Sequence, residues 1–255
     1  MGILSGKVAI VTGASSGVGY GIALRFAMEG AKVVACARRL ENLEALRTVA
    51  EDRGYEGVIL PCKCDIGQES DMDRAVKTAI DNFGTVHILA NIAQGGLHKL
   101  KKIPETTVEE AMELYLQGPV ASMLMMQKCF PYMKEQGYGR IINCSTPSVI
   151  EGTPGQTAYV MSKGAIDALT RAASQEWGPY GITTNNFLPT IKTENFDKSD
   201  RGREYARKMA EENPMRYFGT PFEDCAPMIA FLCSDQAGYI NGQAIGIDGG
   251  RVLNY

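Results

Sequence analysis

Tyr159 and Lys163 stand four residues apart in Tyr-Val-Met-Ser-Lys, with Asn143-Cys-Ser-Thr146 just upstream. If the run through Thr170 is helical, the phenol and the amine share one face. A phenol of ordinary pKa, about 10, is a poor base at neutral pH, and an ammonium beside it favours the phenolate. Such a tyrosine takes a proton from an alcohol or returns one to a ketone oxygen. A helix can also carry Tyr and Lys at this spacing by accident, so the chemistry requires a cofactor site elsewhere in the chain.

That site is expected at the other end of the sequence. Lys7-Val-Ala-Ile-Val-Thr12 is β-rich and runs into Gly13-Ala-Ser-Ser-Gly17-Val-Gly19, followed by an amphipathic helix stopped at Gly30. Glycines between a strand and a helix bring backbone N–H groups up to a pyrophosphate at the helix amino terminus. The second strand ends in Ala37-Arg38-Arg39, where a carboxylate would bind a ribose 2′-hydroxyl and an arginine accepts a 2′-phosphate. NADP(H) is therefore the expected cofactor. Asp65, after the third strand, is a candidate for the adenine amino group, although Asp is also an ordinary turn residue.

The elements that must position these groups alternate. Strands are expected at Lys7–Thr12, Lys32–Cys36, Val58–Cys62, His87–Ala90, Arg140–Cys144, Ile182–Leu188 and Ala244–Ile247. Helices are expected between them, including a long one from about Thr106 to Met133. Apolar strands alternating with helices imply a single doubly wound α/β domain over 1–255, with a seven-stranded parallel sheet. Only the segment from Pro189 to Pro221 makes a long connection, with a substrate lid expected at about 190–218.

Composition narrows the partners. Net charge is −3 without like-charge blocks, which argues against nucleic-acid and anionic-membrane surfaces. No apolar run is long enough for a membrane span, and no signal peptide is expected. Seven cysteines with two histidines offer no zinc spacing; Cys36, Cys129, Cys144 and Cys233 read as buried hydrophobes. A reducing cytoplasmic location is expected.

Together, Thr12-Gly-Ala-Ser-Ser-Gly-Val-Gly19, Cys64-Asp-Ile66, Tyr159-Val-Met-Ser-Lys163, Pro189 and Tyr239-Ile-Asn-Gly-Gln-Ala-Ile-Gly-Ile-Asp-Gly-Gly250 resemble the classical short-chain dehydrogenase/reductase family across essentially the whole chain. The resemblance implies a Rossmann-type fold, general acid/base work by Tyr159, and Lys163 bound to the nicotinamide ribose. It implies cofactor contacts from Gly13, Ser15, Ser16, Gly17, Val18, Gly19, Arg38, Arg39, Asp65, Ile66, Asn91 and Pro189. Thr193 and the Ile191 backbone fall where the family binds the carboxamide. The family's substrate-orienting hydroxyl lies thirteen residues before the tyrosine, here Thr146, with Ser145 and Ser148 as neighbours. Three departures stand out: Asn91-Ile-Ala-Gln94 replaces Asn-Asn-Ala-Gly, Pro189-Thr190 replaces Pro-Gly, and Tyr115 occupies the place of the family's relay Asn. An altered proton path through Tyr115 is expected.

Gln94 to His98, Pro147 to Gln156 and the lid are candidate substrate walls, with Gln94, Ser148 and Phe196 singled out. Phe196, Tyr205, Met209, Met215, Tyr217 and Phe218 suit a bulky apolar small molecule such as a hydroxysteroid or bile acid, or pack an amphipathic helix on its own core. A 3-oxoacyl thioester is the alternative substrate, and a catalytically decayed NADP(H)-binding sensor the alternative of another class. The resemblance also implies a homotetramer or homodimer. No metal is expected.

Overall fold

The computed structural model describes residues 1–96 and 100–252. His98 lies outside the described residues. The first half contains β1 (Val8–Thr12), α1 (Gly17–Met28), β2 (Lys32–Ala37), α2 (Leu40–Asp52), β3 (Val58–Lys63), α3 (Glu69–Phe83) and β4 (Ile88–Asn91). The second contains α4 (Val108–Tyr115), α5 (Ala121–Glu135), β5 (Gly139–Cys144), α6 (Ser148–Glu151), α7 (Thr157–Trp177), β6 (Ile182–Pro189), α8 (Asp200–Glu212), α9 (Ala226–Leu232) and β7 (Ala244–Ile247).

The seven strands are all parallel, in the order β3-β2-β1-β4-β5-β6-β7. Each central strand is covered on both faces, so its residues are apolar without alternation. Ala9, Val11, Val33 and Ala35 join one core with Ile22, Phe26 and Ile229. Val8, Ile10, Val34 and Cys36 point the other way, into a core with Met72, Val76, Met125 and Met126. Winding reverses between β1 and β4, and the carboxyl ends of these strands open a crevice there, where such sheets bind ligands.

The expected long helix is real but interrupted. Thr107 caps α4 in a reciprocal capping box with Glu110, and a π turn over Leu116–Val120, containing Pro119, joins α4 to α5. Helix α9 was not expected: Pro227 and a short apolar run give it no helical period in the sequence. The segment expected to be a lid folds as a 3₁₀ turn (Glu194–Lys198) followed by α8, capped by Ser199, whose hydroxyl accepts from Gly202 N.

Candidate active site

The turn after β1 has the conformation its glycines permit. Gly13 has φ +71°, and a Cβ there would lie 3.0 Å from Ala93 N, so the β1 and β4 ends could not approach as they do. At Gly19 a Cβ would lie 2.3 Å from Gly13 O, which would push α1 off the turn. The result is a cavity of about 520 Å³ at the switch point. Gly13, Ser15, Ser16, Gly17, Val18, Gly19, Arg38, Arg39, Asp65 and Ile66 all line it, as do Gln94 and Cys144.

The polar contacts around that cavity are specific. Arg39 Nη2 donates to Ser15 Oγ (3.1 Å) and Ser16 Oγ (3.0 Å), tying the end of β2 to the glycine turn. Arg38 is exposed along the cavity wall. Asp65 has one carboxylate oxygen engaged by Gly67 N at 2.9 Å, an ordinary turn contact. Two guanidinium groups and a glycine cradle at a helix amino terminus fit a dinucleotide carrying an extra phosphate.

Asn91 faces elsewhere. Its Nδ2 donates to Asn143 Oδ1 (2.9 Å), the first link of a buried chain. Asn143 Nδ2 donates to Thr170 Oγ1 (2.8 Å), Thr170 Oγ1 to Asn186 Oδ1 (2.6 Å), and Asn186 Nδ2 to Asp167 Oδ1 (2.7 Å). This chain fastens α7 to β4, β5 and β6, and so sets where Tyr159 and Lys163 stand.

Lys163 is buried, and its Nζ donates to Cys144 O at 2.7 Å while lying 5.8 Å from the centroid of the Tyr159 ring. Burial lowers the Lys163 pKa, opposed by Cys144 and Asp167. Burial also raises the Tyr159 phenol well above its ordinary value, with Cys144 adding to the rise and a hydrogen bond to Thr146 opposing it. Desolvation is thus the largest influence on the phenol in the chain by itself, set against the pull toward phenolate expected of an ammonium beside it. Thr146 is itself buried, and its Oγ1 accepts from Ser148 N at 3.3 Å.

Other candidates fall outside these contacts. The Tyr115 side chain is 42% exposed, at the surface rather than among the buried groups around Lys163. Gln94 Nε2 donates to Gly95 O (3.1 Å) and Leu114 O (3.2 Å), which ties the β4 loop to α4. Pro189 ends β6, and the buried Ile191 packs in the core. Thr193 Cγ2 would be 3.1 Å from a Cβ on Gly17, which brings Thr193 over the glycine turn. Phe196 stacks on Tyr205 (5.5 Å, 8°) and meets Phe218 edge-on (5.5 Å, 60°), while Met209 is buried; the lid aromatics therefore pack partly on one another.

Glu194 was missed. Gly17 N, in the first turn of α1, donates to Glu194 Oε1 (3.0 Å) and Oε2 (3.2 Å), so the lid places a carboxylate on the amino terminus of that helix. Gln117 and Asn195 also line the cavity unforeseen. A polar residue directly after Thr193 was the one available signal.

A family model described as enoyl-(acyl carrier protein) reductase matches residues 13–251. The 3-oxoacyl-(acyl-carrier-protein) reductase FabG of Thermotoga maritima is 34% identical over 98% of this chain and 99% of its own. A 12alpha-hydroxysteroid dehydrogenase of Clostridium sp. is 32% identical over 98% of both chains. The crystal structure of L-sorbose reductase from Gluconobacter frateurii, complexed with NADPH and L-sorbose, superposes with a TM-score of 0.90 at 26% identity, covering 100% of both chains.

Proposed function

Because this chain belongs to the classical short-chain dehydrogenase/reductase family, whose members are oxidoreductases acting on alcohol and keto groups, we propose that it interconverts a secondary alcohol and a ketone with NADP(H). One observation carries the reading. Cys144 lines the cavity of the glycine turn and the arginines, and its carbonyl holds Lys163 beside the Tyr159–Thr146 pair.

In this reading Gly13 to Gly19 cradle the pyrophosphate, Arg38 and Arg39 take the 2′-phosphate, and Asp65 and Ile66 border the adenine. Lys163 binds the nicotinamide ribose, while Thr193 and the Ile191 backbone address the carboxamide. The cofactor, when bound, supplies the carbon that gives or accepts hydride. Thr146 Oγ1 donates to the substrate oxygen and Tyr159 Oη moves the proton. Burial keeps the phenol protonated at neutral pH, the form that gives its proton to a ketone. Alcohol oxidation needs the phenolate and accelerates as pH rises.

A bulky apolar substrate such as a hydroxysteroid or bile acid is supported by the aromatic cluster of Phe196, Tyr205 and Phe218 and by the similarity to the Clostridium enzyme. The similarity to FabG favours a 3-oxoacyl thioester as the second reading. Gln94, Ser148 and Phe196 are the proposed substrate walls. Exposed Val108, Met112, Tyr115, Leu116, Met123 and Met161 support a homodimer or homotetramer built on α4, α5 and α7, checked by light scattering. Seven free cysteines suit a reducing, cytoplasmic setting. Among the described residues, no helix is long and apolar enough to cross a membrane.

The test monitors nicotinamide absorbance with NADP+ and NAD+ against steroid, bile-acid and acyl alcohols. Turnover that prefers NADP+ and disappears in Tyr159→Phe is expected. NADPH binding without turnover on any panel member moves the reading to a sensor, and an NAD+ preference overturns the assignment of Arg38.

A further inference from the structure

Three of the seven cysteines meet on one face of the sheet. Cys36 of β2 and Cys62 of β3 are register partners in adjacent parallel strands, and Cys64 joins them on the same side. The Cys36 Sγ donates to Val34 O at 3.8 Å, and the neighbouring Cys62 and Cys64 sulfurs, together with burial, raise its thiol well above the ordinary value. Strand β3 is the sheet edge, so Cys62 lies at the margin of the core, with Thr78 Oγ1 4.0 Å from its sulfur. Arg74 reaches over the same strand, its Nη2 donating to Lys63 O at 2.6 Å. The neighbouring Cys36 thiol lowers the Cys62 thiol to about 7, with Thr78 and Arg74 adding to the effect and burial and Asp71 opposing it. Cys36, Cys62 and Cys64 are buried like Cys129, Cys225 and Cys233, but the thiols of the last three stand away from that cluster and are pushed upward by desolvation. A thiol lowered toward neutrality at the sheet edge, with Arg74 over its strand and a second thiol paired with it in register, brings together an attacked sulfur and its resolving partner.

We propose that Cys36 and Cys62 form a redox-modification site that closes a disulfide under the cofactor cavity when the protein meets hydrogen peroxide. The Cys62 thiolate attacks one peroxide oxygen; the O–O bond breaks, hydroxide leaves and takes up a proton, and Cys62 becomes a sulfenic acid. The Cys36 sulfur then attacks Cys62 Sγ, forming the S–S bond and breaking the S–O bond, and the departing hydroxide carries off the Cys36 proton as water. Two thiols lose two electrons and one peroxide becomes two waters.

The disulfide matters to the cavity because each cysteine stands just ahead of cavity-lining residues. Arg38 lies two residues after Cys36, Cys64 and Asp65 lie two and three residues after Cys62, and all three line the cavity. Paired residues of parallel strands keep their Cβ atoms near the strand spacing of about 4.8 Å, wider than the ~3.8 Å a disulfide takes. Closing the bond draws the edge strand toward β2 and shifts Arg38 against Asp65. This consequence rests on the NADP(H) reading above; the bond itself does not.

The protein is treated with hydrogen peroxide, and peptides are mapped by mass before and after dithiothreitol while NADPH affinity is titrated by fluorescence. A reducible Cys36–Cys62 link and a Kd raised about five-fold or more, restored by dithiothreitol, are expected. Cys36→Ala is expected to bind NADPH normally and to ignore peroxide; should it fail to fold, Cys62→Ala serves the same purpose. No link, a Cys36–Cys64 link, or a link with unchanged NADPH affinity overturns the proposal. Reduced protein that fails to bind NADPH at all overturns the cofactor reading instead, and the mapped link still decides the thiol chemistry.

Discussion

Thr170→Val isolates the buried chain that seats α7. Valine keeps the volume and the β-branch of threonine, so packing and helical propensity change little. The hydroxyl it removes accepts from Asn143 Nδ2 at 2.8 Å and donates to Asn186 Oδ1 at 2.6 Å. Asn143 and Asn186 are 0% and 2% exposed, so water does not replace the lost partner. One donor and one acceptor are orphaned, each costing about 1–3 kcal/mol. Asn143 still accepts from Asn91, and Asn186 still donates to Asp167, which keeps the total near the low end, about 2–4 kcal/mol. For a domain of this size that lowers Tm by roughly 5–12 °C. Urea unfolding monitored by circular dichroism gives the free energy, and Thr170→Ser, which retains the hydroxyl, should recover most of it. A Thr170→Val loss under about 0.5 kcal/mol, the scale of an inconsequential surface change, would refute the chain as a structural fastener.

Asp167 has its carboxyl pKa raised, chiefly by burial. Its folded state then binds the proton more tightly than the unfolded state. The stability it contributes is full below the unfolded value and is lost as pH rises through the raised one. Asp167→Asn, which can still accept from Asn186, should flatten the decline in stability above pH 4; an unchanged slope in denaturation at several pH values counts against this. Glu194→Gln removes a negative charge from the α1 amino terminus, where a pyrophosphate needs the same field, and NADPH should bind about 2–5-fold tighter. Weaker binding by titration would mean that Glu194 clasps the lid over the cofactor. Arg38→Ala should weaken NADPH about ten-fold or more while leaving NADH alone; equal losses for both would remove the 2′-phosphate role.

Much of the architecture was legible because doubly covered strands give near-continuous apolar runs, as in Val8–Thr12 and Lys32–Ala37. The glycine turn was legible because its backbone demands are local. β6 is a less obvious strand: Thr183, Thr184, Asn185 and Asn186 are all buried polar residues. Their partners come from far away, Asn185 donating to Ile240 O and Thr184 N to Asn241 Oδ1, so no local spacing announces them. The Asn143–Thr170–Asn186 chain and the Glu194 contact were hidden for the same reason. The aromatic content of the 190–218 segment is plain in the sequence, but whether those residues face a ligand or one another is decided by tertiary packing, as Phe196 and Tyr205 show.

The π turn between α4 and α5 has a consequence for how one helix serves two neighbours. Such a turn absorbs about one extra residue, or about 100° of helical phase. Before it, Leu114 is the buried residue of α4, which leans on α7; after it, Met125, Met126 and Cys129 of α5 are buried toward α3 and the sheet. The turn works as a phase shifter, handing the apolar stripe from the catalytic-candidate helix to α3 and the sheet within one helical layer. Deleting one residue within Leu116–Val120 would make a more regular helix and a worse protein. It would rotate one of these two stripes into solvent.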